Sequence, residues 1–229
     1  MKAGLNGAGG RMGRLLSQLL GPELCSTTDR GELTAGCHDR AEVVIDFSLP
    51  RGTQALLQVY EGALVIGTTG LDEATQRALV AHSQRHPVVQ ASNFSTGVTL
   101  LLNLVRTASA ALPDYDVEIV EMHHRHKVDA PSGTARSLTA AASEGRGPAV
   151  HGRYGHTGER PLGEIGVHAL RGGDIAGEHT VYLAGPGERL QLGHVATSRT
   201  AFAQGAVRAA RWVLEQPPGL YDMQDVLGL

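Results

Sequence analysis

The chain has 229 residues, which is enough for one large domain or two smaller ones of ordinary size. Hydrophobic residues make up 41% of it and aromatic residues only 4%, so the packing depends mainly on Ala, Val and Leu, as in sheets covered by helices. The net charge of −3 comes without a long basic block, which argues against a nucleic-acid surface or an anionic-membrane patch. We therefore expect an α/β protein with small-molecule partners.

The cysteines and the apolar runs bear on the compartment. Cys25 and Cys37 form neither a CxxC pair nor a zinc pattern. The sequence has no signal-peptide h-region and no apolar run of membrane length. These observations favour a protein of the reduced cytoplasm, in which both cysteines act as small buried hydrophobes.

The beginning of the chain reads as a strand, a glycine turn and a helix. A short strand is predicted over residues 1–6 and an amphipathic helix over residues 14–20. Glycines between them let backbone amides approach a pyrophosphate, and a helix start adds a favourable field. A GxxGxxG pattern that begins at Gly7 replaces the strict GxGxxG fingerprint. The residues predicted to bind the cofactor here are Gly7, Ala8, Gly9, Gly10, Arg11 and Met12.

An acidic residue completes the dinucleotide pattern. Asp29 lies 22 positions after Gly7, near the spacing of about 20 at which an acid accepts the adenosine ribose hydroxyls. Arg30 follows directly and could pair with a 2′-phosphate. This corner therefore offers a contact to both NADH and NADPH and does not decide between them. An ordinary solvated turn is the alternative for both residues.

Further βα units follow. Strands are predicted over residues 43–47, 64–66 and 88–91, and helices over residues 51–61 and from residue 72 to about 85. The turn Gly67-Thr68-Thr69-Gly70 and the segment Ser92-Asn93-Phe94-Ser95 each follow a strand, which is where α/β sheets bind ligands. Ordinary βα turns are the alternative at both places.

The second half of the chain has a different pattern. A long helix is predicted over residues 98–112, followed later by alternating apolar and polar residues over 165–171, 178–184 and 189–197. A hairpin turn at 185–187 joins the last two segments, and the three segments predict an antiparallel sheet. A closing helix is predicted over residues 200–215. Parallel units followed by antiparallel strands imply two domains, with a boundary near residues 92–95.

Residues 118–135 contain the highest concentration of side chains able to take part in catalysis or bind an anion. His123, His124, Arg125, His126 and Lys127 follow an apolar-rich segment, where a strand end delivers side chains into a cleft. A cluster of positively charged side chains such as this one favours the binding of an anionic ligand. Their repulsion also disfavours a proton on each His and on Lys127, so one or more of them can serve as acid or base near neutral pH.

A tight turn over residues 129–134 leads from this cluster into a helix over residues 135–142, with Asp129 or Ser132 as its N-cap. Amides at the helix start, with the hydroxyls of Ser132 and Thr134, suit a carboxylate or a phosphate. A metal site is the first alternative, but no acidic or Cys partner has the usual ligand spacing, and we expect none. The second alternative is a solvated polar turn.

The run from His123 to Ala135 resembles the signature of the 4-hydroxy-tetrahydrodipicolinate reductase family, also called dihydrodipicolinate reductase, of bacterial and plant lysine and diaminopimelate synthesis. That signature reads Glu-x-x-His-His-x-x-Lys-x-Asp-Ala-Pro-Ser-Gly-Thr-Ala. Every fixed position from His-His onwards is present, and Glu121 stands one position nearer the histidines than the Glu of the signature. The glycine turn is similar to the family's Gly-x-x-Gly-x-Met-Gly. The similarity runs essentially end to end and is weakest over residues 21–40, a segment shorter than expected for the family.

The resemblance implies an α/β fold in which residues 1–94 and 200–229 form a Rossmann-like dinucleotide-binding domain. Residues 95–199 would form an α+β domain with a largely antiparallel sheet, which binds the substrate and builds a homotetramer. The implied reaction is the NADH- or NADPH-dependent reduction of 4-hydroxy-tetrahydrodipicolinate, a small cyclic dicarboxylate, to tetrahydrodipicolinate.

The resemblance also implies roles for individual residues. His123 would be the general acid and base, and Lys127 the proton donor to the carbon framework. The residues implied to hold a substrate carboxylate are His124, Ser132, Gly133 and Thr134. Those implied to contact the dinucleotide, beyond the glycine turn, are Gly67, Thr68, Thr69, Ala91, Ser92, Asn93 and Phe94. The loop 155–160 is similar to a family Gly-His-Thr-Gly segment, and a structural role is expected for it.

Three rival hypotheses stay open. The first is another two-domain NAD(P)-dependent oxidoreductase; a semialdehyde dehydrogenase is disfavoured because it needs a central nucleophilic Cys and both cysteines precede residue 38. The second is a non-enzymatic dinucleotide sensor, which would keep the glycine turn without needing the His-His-x-x-Lys cluster. The third is an assembly protein, although oligomerisation would accompany catalysis rather than replace it.

Overall fold

The computed structural model of the chain describes residues 1–29 and 33–229. The chain divides into two compact units, the first formed by Met1–Thr96 with Arg199–Leu229 and the second by Gly97–Ser198. Each unit contains one sheet. Among the described residues, no helix is long and apolar enough to cross a membrane.

Among the described residues, the first unit has six strands and five α-helices, and the second unit has five strands and two α-helices. The strands of the described residues are β1 (Ala3–Asn6), β2 (Leu24–Thr28), β3 (Val43–Asp46), β4 (Ala63–Ile66), β5 (Pro87–Gln90), β6 (Asp116–His123), β7 (Ala149–His151), β8 (Ile165–Arg171), β9 (Gly177–Gly185), β10 (Glu188–Ala196) and β11 (Gly219–Tyr221). The helices are α1 (Arg11–Leu20), α2 (Pro50–Val59), α3 (Glu73–Ser83), α4 (Thr96–Ala111), α5 (Gly133–Ala142), α6 (Thr200–Val213) and α7 (Met223–Leu227), and a 3₁₀ turn spans Gly21–Glu23.

The sheet of the first unit is parallel throughout, in the order β11-β5-β4-β3-β1-β2. Every residue of β1, β3 and β4 is buried, as is usual for parallel strands covered on both faces. The chain leaves β1 for β2 on one side and then crosses to β3 on the other side. The carboxyl ends of β1 and β3 therefore form a switch point, where such sheets bind ligands. The predicted Rossmann-like α/β fold is confirmed.

The second unit has a mixed sheet in the order β10-β9-β6-β8-β7. β9 pairs antiparallel with both β10 and β6, whereas β8 runs parallel to β6 and to β7. The prediction that residues 165–171 belong to an antiparallel sheet is therefore wrong. The physical reason is the connection between β6 and β8. It contains α5 and brings the chain back to the end of the sheet at which β6 begins, so β8 runs in the same direction as β6.

The strands that the sequence did not predict are β2, β7 and β11, and all three lie at sheet edges. They have three to five residues, most of them only partly buried, so they lack the apolar run or the strict alternation of a central strand. α7 was not predicted either. Three helix starts differ from the prediction by two residues or more, because α1 begins at Arg11, α4 at Thr96 and α5 at Gly133 with Ser132 as its N-cap.

Candidate functional site

The glycine turn after β1 is shaped for a close approach of another molecule. Gly7 has φ +87°, and a Cβ on it would lie 2.6 Å from the carbonyl oxygen of Phe47. The amides of Gly7 and Ala8 donate to the carbonyl of Thr28, at 2.9 and 3.1 Å, which anchors the turn on β2. Gly10 then precedes α1, whose first turn carries no acidic residue. The open backbone and the helix start together suit an anion such as a pyrophosphate.

A cavity of about 860 Å³ opens at this turn. It brings together the predicted residues Gly7, Gly9, Gly10 and Asp29. The Asp29 carboxylate lies over the turn, since a Cβ on Gly9 would come within 2.1 Å of its Oδ2. The acid that the sequence spacing singled out therefore lines the same space as the glycines. Arg30 lies outside the described residues.

Sequence reasoning missed one wall of this cavity. It consists of residues at the carboxyl end of β3 and the start of α2, namely Phe47, Ser48, Leu49, Arg51, Gly52 and Ala55. The sequence predicted only the end of a strand at residue 47 and the start of a helix at residue 51. Topology could have identified this wall. The strand that follows the first βαβ unit, β3, pairs with β1 on the side away from β2, so its carboxyl end lies at the switch point. Arg51 places a cation on this wall.

The turn after β4 supports that wall. The Thr68 hydroxyl accepts a hydrogen bond from the Ser48 amide at 3.0 Å and donates to Oδ2 of Asp46 at 3.1 Å. The Gly67 amide donates to the carbonyl of Asp46 at 2.8 Å, and a Cβ on Gly67 would lie 2.3 Å from the Phe47 ring. Gly67 and Thr68 are thus joined to the cavity wall.

Other residues predicted to contact the cofactor are placed less directly. The side chain of Phe94 is 1% exposed, and its ring centroid lies 5.4 Å from that of Phe47. Phe94 therefore belongs to the core of the first unit. The Asn93 side chain accepts from the Ser95 amide at 2.8 Å. The contacts of all the predicted residues with a dinucleotide stay predictions, and those not among the cavity-lining residues are Ala8, Arg11, Met12, Gly67, Thr68, Thr69, Ala91, Ser92, Asn93 and Phe94.

A buried carboxylate lies behind the cavity wall. Asp46 is 0% exposed and accepts hydrogen bonds from Asn6 Nδ2 at 3.0 Å, from the Ser48 amide at 3.1 Å, and from the hydroxyls of Thr53 and Thr68. Burial raises the pKa of Asp46, and these hydrogen bonds partly oppose the rise. The carboxylate therefore ties the ends of β1 and β3 to the start of α2 and to the turn after β4.

A histidine extends this polar network to β2. His38 is buried, and its two ring nitrogens contact the hydroxyls of Ser26 at 2.8 Å and Thr28 at 3.0 Å. Thr28 in turn donates to Asn6 Oδ1 at 3.1 Å. Burial lowers the pKa of His38. The ends of β1 and β2, which hold the glycine turn, are thus joined by buried hydrogen bonds.

The second unit contains the residues predicted for catalysis and substrate binding, beginning at the end of β6. The inward face of this strand begins with Val117 and Ile119 and ends with Glu121 and His123. Glu121 is 0% exposed, and its Oε2 accepts from His123 Nδ1 at 2.6 Å. Two apolar residues followed by two polar residues on one face thus deliver a buried acid and a histidine together.

The Glu121 carboxylate has further partners from two other elements. Arg171 at the end of β8 donates two N–H groups, one to each carboxylate oxygen, both at 2.8 Å. The Ser132 amide, just before α5, donates to Oε1 at 2.9 Å. Burial alone would raise the pKa of Glu121, but the hydrogen bonds from Arg171, His123 and Ser132 outweigh it and lower that pKa. Glu121 is therefore ionised at neutral pH.

A second buried histidine packs against the first. His179 lies on β9 opposite Glu121, and its ring centroid is 5.2 Å from that of His123. Its Nε2 is 3.2 Å from the Ser132 hydroxyl. Burial, followed by the neighbouring His123, lowers the pKa of His179 to about 4, so its ring is neutral at physiological pH.

Helix α5 begins beside this group. The Ser132 hydroxyl accepts from the Ala135 amide at 3.1 Å, which makes Ser132 the N-cap and settles the alternative of Asp129. Gly133 and Thr134 are the first residues of the helix, whose first turn has no acidic residue. The start of a helix attracts negative charge. The structure thus brings Ser132, Gly133 and Thr134 together with His123 through Glu121.

The other basic residues of the cluster, from His124 to Lys127, lie in a turn, because β6 ends at His123. The Lys127 amide donates to the His124 carbonyl at 3.1 Å, and the ring centroids of His124 and His126 are 6.2 Å apart. Lys127 Nζ donates to Asp129 Oδ1 at 2.7 Å, and this hydrogen bond is the main reason why the pKa of Asp129 is lowered. Among the described residues, no cluster of three or more His, Cys, Asp or Glu side chains could hold a metal ion.

The loop over 155–160 ends in an ion-pair cluster on β6. Arg160 donates to Glu118 Oε1 at 2.7 Å and lies 3.2 Å from Asp116, while His168 contacts Glu118 Oε2 at 2.7 Å. Arg153 also pairs with Glu118, at 3.0 Å. These contacts hold the end of the loop on the sheet, in keeping with the structural role expected for it.

Comparisons with known proteins cover nearly the whole chain. A family model for the N-terminus of dihydrodipicolinate reductase matches residues 1–94, and the model for its C-terminus matches residues 97–227. A protein of Halorhodospira halophila named 4-hydroxy-tetrahydrodipicolinate reductase is 46% identical over 262 positions, which cover 99% of this chain and 98% of that protein. One of the same name from Alkalilimnicola ehrlichii is 48% identical over 259 positions, with 97% of both chains covered.

Solved structures agree in fold. A dipicolinate-bound dihydrodipicolinate reductase from Paenisporosarcina sp. TG-14 has a TM-score of 0.76 at 23% identity, with 97% of each chain covered. A probable dehydrogenase from Thermotoga maritima has a TM-score of 0.55 at 10% identity, with 99% of this chain and 92% of that chain covered. The alignments with the two relatives are longer than the 229 residues of this chain, so both relatives carry residues that have no counterpart in it.

Proposed function

The chain belongs to the dihydrodipicolinate reductase family, and from this premise we propose that it reduces 4-hydroxy-tetrahydrodipicolinate to tetrahydrodipicolinate with NADH or NADPH, in lysine and diaminopimelate biosynthesis. The observation that carries the proposal is the way the family motif folds: His123 and the start of α5 meet at one buried carboxylate, Glu121. Another two-domain oxidoreductase and a dinucleotide sensor are not favoured, because both family models match.

The residues of the first unit fit a dinucleotide. The cavity of about 860 Å³ lies within the usual range of small-molecule sites, roughly 300–1,000 Å³. Gly7 and Gly9 leave open the space that a Cβ would fill. The glycine turn would hold the pyrophosphate, and Asp29 would accept hydrogen bonds from the ribose hydroxyls. When bound, the cofactor supplies the hydride.

The choice between NADH and NADPH depends on charge at the adenosine end. Asp29 favours the free ribose hydroxyls of NADH, whereas a guanidinium favours the 2′-phosphate of NADPH. Arg51 lines the cavity, and Arg30 follows Asp29 in the sequence. Both signs of charge are thus available to the cofactor, which supports use of either one.

The second unit supplies groups for a dicarboxylate. Ser132, Gly133 and Thr134 would hold one carboxylate at the start of α5, where the helix dipole is favourable, and His124 would assist them. His123 is proposed as the general acid and base. Positive groups near a doubly negative substrate lower the energy of charge that develops during reduction.

Lys127 is proposed as the proton donor to the carbon framework. Its Nζ lies 2.7 Å from Asp129 Oδ1, and this ion pair holds the proposed donor in position. The Lys127 side chain is 21% exposed, which leaves it accessible to a small molecule. A positioned proton-transfer group contributes about 10²–10⁴-fold to a rate.

The remaining proposals concern assembly and compartment. We propose a homotetramer built through the sheet of the second unit, whose edge strand β10 carries mostly exposed residues, including the apolar Val195 at 61% exposure. An open edge and exposed apolar side chains on one strand are typical of a surface that pairs with another chain. A cytoplasmic enzyme without nucleic-acid or membrane partners is consistent with the net charge of −3. Light scattering on the purified protein tests the tetramer.

The test of function is oxidation of NADH and of NADPH by the purified protein. The substrate is generated in place by the synthase that condenses pyruvate with aspartate semialdehyde. We expect oxidation that requires the synthase, with a rate for each cofactor that defines the preference. Absence of oxidation with both cofactors, from folded protein that binds a dinucleotide, would contradict the proposal.

Two variants test the roles of the proposed proton-transfer groups. His123→Ala and Lys127→Ala should each lower kcat by about 10²-fold or more, because each removes a positioned proton-transfer group. His151→Ala is the matched control, since His151 is an exposed histidine on edge strand β7 of the same unit. Wild-type turnover in both the His123 and the Lys127 variant would refute these role assignments.

A further inference from the structure

We propose that Glu121 is a positioning residue, which holds His123 in one tautomer and one orientation and fixes the start of α5 with the same carboxylate. The proposal deepens the proposed function, on which its catalytic part rests. The general acid–base histidine and the carboxylate-binding helix start would then be set by a single buried group. The sequence signature does not assign this role to Glu121.

The hydrogen-bond inventory determines the tautomer. The pKa of Glu121 is lowered, so its carboxylate is ionised and can only accept hydrogen bonds. The contact of 2.6 Å with His123 Nδ1 therefore requires a proton on Nδ1. In the neutral ring, Nε2 then carries the lone pair and is the atom able to take a proton from a substrate.

The space around Nε2 agrees with this assignment. Gly177 lies beside the ring, and a Cβ on it would come within 3.1 Å of His123 Nε2. The missing side chain keeps that edge of the ring open. Burial restrains the rest of the ring, because His123 is 9% exposed and packs edge-on against His179. One nitrogen is thus held by Glu121, and no side chain at position 177 covers the other.

The same carboxylate reaches α5. Its Oε1 accepts from the Ser132 amide at 2.9 Å, and the Ser132 hydroxyl caps the helix. Arg171 donates to both oxygens and so prevents the carboxylate from rotating. Glu121 is therefore held from β8 while it holds His123 on β6 and the residue before α5. A shift of this side chain would displace the proposed acid–base histidine and the carboxylate-binding start of α5 together.

A purely structural role is the competing explanation, because a buried Glu–Arg pair also joins β6 to β8. The two roles differ in their effect on the pH dependence of catalysis. The charged or titratable groups around His123 are Glu121 on its own strand, Arg171 on β8, His179 on β9 and Lys127 in the following turn. Glu121 is the anion of this group, so its removal withdraws the charge that favours the imidazolium form.

The test is Glu121→Gln, which keeps the shape of the side chain but removes its charge. We expect kcat to fall by about 10²-fold or more, the scale of a positioned acid–base group, with a smaller change in KM. The acidic limb of the pH–rate profile, where protonation of the ring removes the base, should move to lower pH. Glu118→Gln is the matched control: Glu118 is on the same strand, faces the opposite side of the sheet and forms ion pairs of its own. It should lower thermal stability and leave the pH profile in place.

Ring-nitrogen NMR shifts of His123 provide a readout that does not depend on activity. The wild type should show the tautomer with the proton on Nδ1, and Glu121→Gln should show a mixture. The opposite tautomer in the wild type would overturn the proposal, even if the variant does not fold. A wild-type kcat and pH profile in folded Glu121→Gln would also overturn it. Absence of wild-type turnover would count against the proposed function, and the NMR result would still decide the positioning role.

Discussion

Gly9, in the turn after β1, and Gly13, in helix α1, should respond in different ways to one added methyl group. A Cβ on Gly9 would meet Asp29 Oδ2 at 2.1 Å, the far end of a flexible side chain that can rotate away. A Cβ on Gly13 would meet the carbonyl oxygens of Gly7 and Ala8 at 2.2 and 2.6 Å, which belong to the backbone and cannot move aside cheaply. Gly9→Ala should therefore change the proposed ribose contact, and Gly13→Ala should lower the stability of the first unit.

The expected sizes follow from what each methyl group displaces. Gly9→Ala would cost the charge-assisted hydrogen bond of Asp29, about 1.5–3 kcal/mol, which corresponds to a rise in KM for NADH of about 10-fold to 150-fold. Its own stability should change little, since Gly9 has no positive φ. Overpacking at Gly13 should destabilise the first unit by about 1–3 kcal/mol or more.

The assay compares the thermal midpoint and the KM for NADH of both variants with those of the wild type. Gly9→Ala is expected to raise KM at an unchanged midpoint, and Gly13→Ala is expected to lower the midpoint. An unchanged KM in Gly9→Ala would refute the proposed contact between Asp29 and the ribose. Equal losses of stability in the two variants would refute the steric reasoning about which neighbour can move.

Two further predictions concern single residues. Asp29→Ala should raise the KM for NADH without lowering the thermal midpoint, because Asp29 lines the cavity; an unchanged KM would argue that the ribose lies elsewhere. The pKa of His179 is about 4, below its ordinary value of 6.5, so the unfolded chain binds the proton more readily and stability is lost as pH falls from about 6.5 towards 4. His179→Gln should reduce this loss by about 2 kcal/mol between urea titrations at neutral and at mildly acidic pH, and an equal slope in both proteins would contradict the burial argument.

The pattern of the sequence predicted the central parts of each unit better than their edges. The apolar runs of β3 and β4 predict buried parallel strands, and the glycine turn predicts a strand and a helix on either side of it. The edge strands β2, β7 and β11 were not predicted because few of their residues are buried. The alternation over residues 165–171 predicts a strand, but alternation does not reveal the direction of the neighbouring strands. That direction came from the crossover through α5.

The candidate site also has parts that the sequence determined and parts that only the tertiary structure decided. The sequence by itself determined the family, through a motif in which local spacing places His123, Lys127 and the start of α5 within one short segment. Only the tertiary structure decided that Arg171 and Ser132 share the carboxylate of Glu121, and that Phe47 and Arg51 line the cavity beside Asp29. The physical reason is that hydrogen bonds and cavity walls join residues far apart in the chain, as with Glu121 and Arg171, which are 50 positions apart. Such pairs are created by strand order and register, and no local pattern of residues records them.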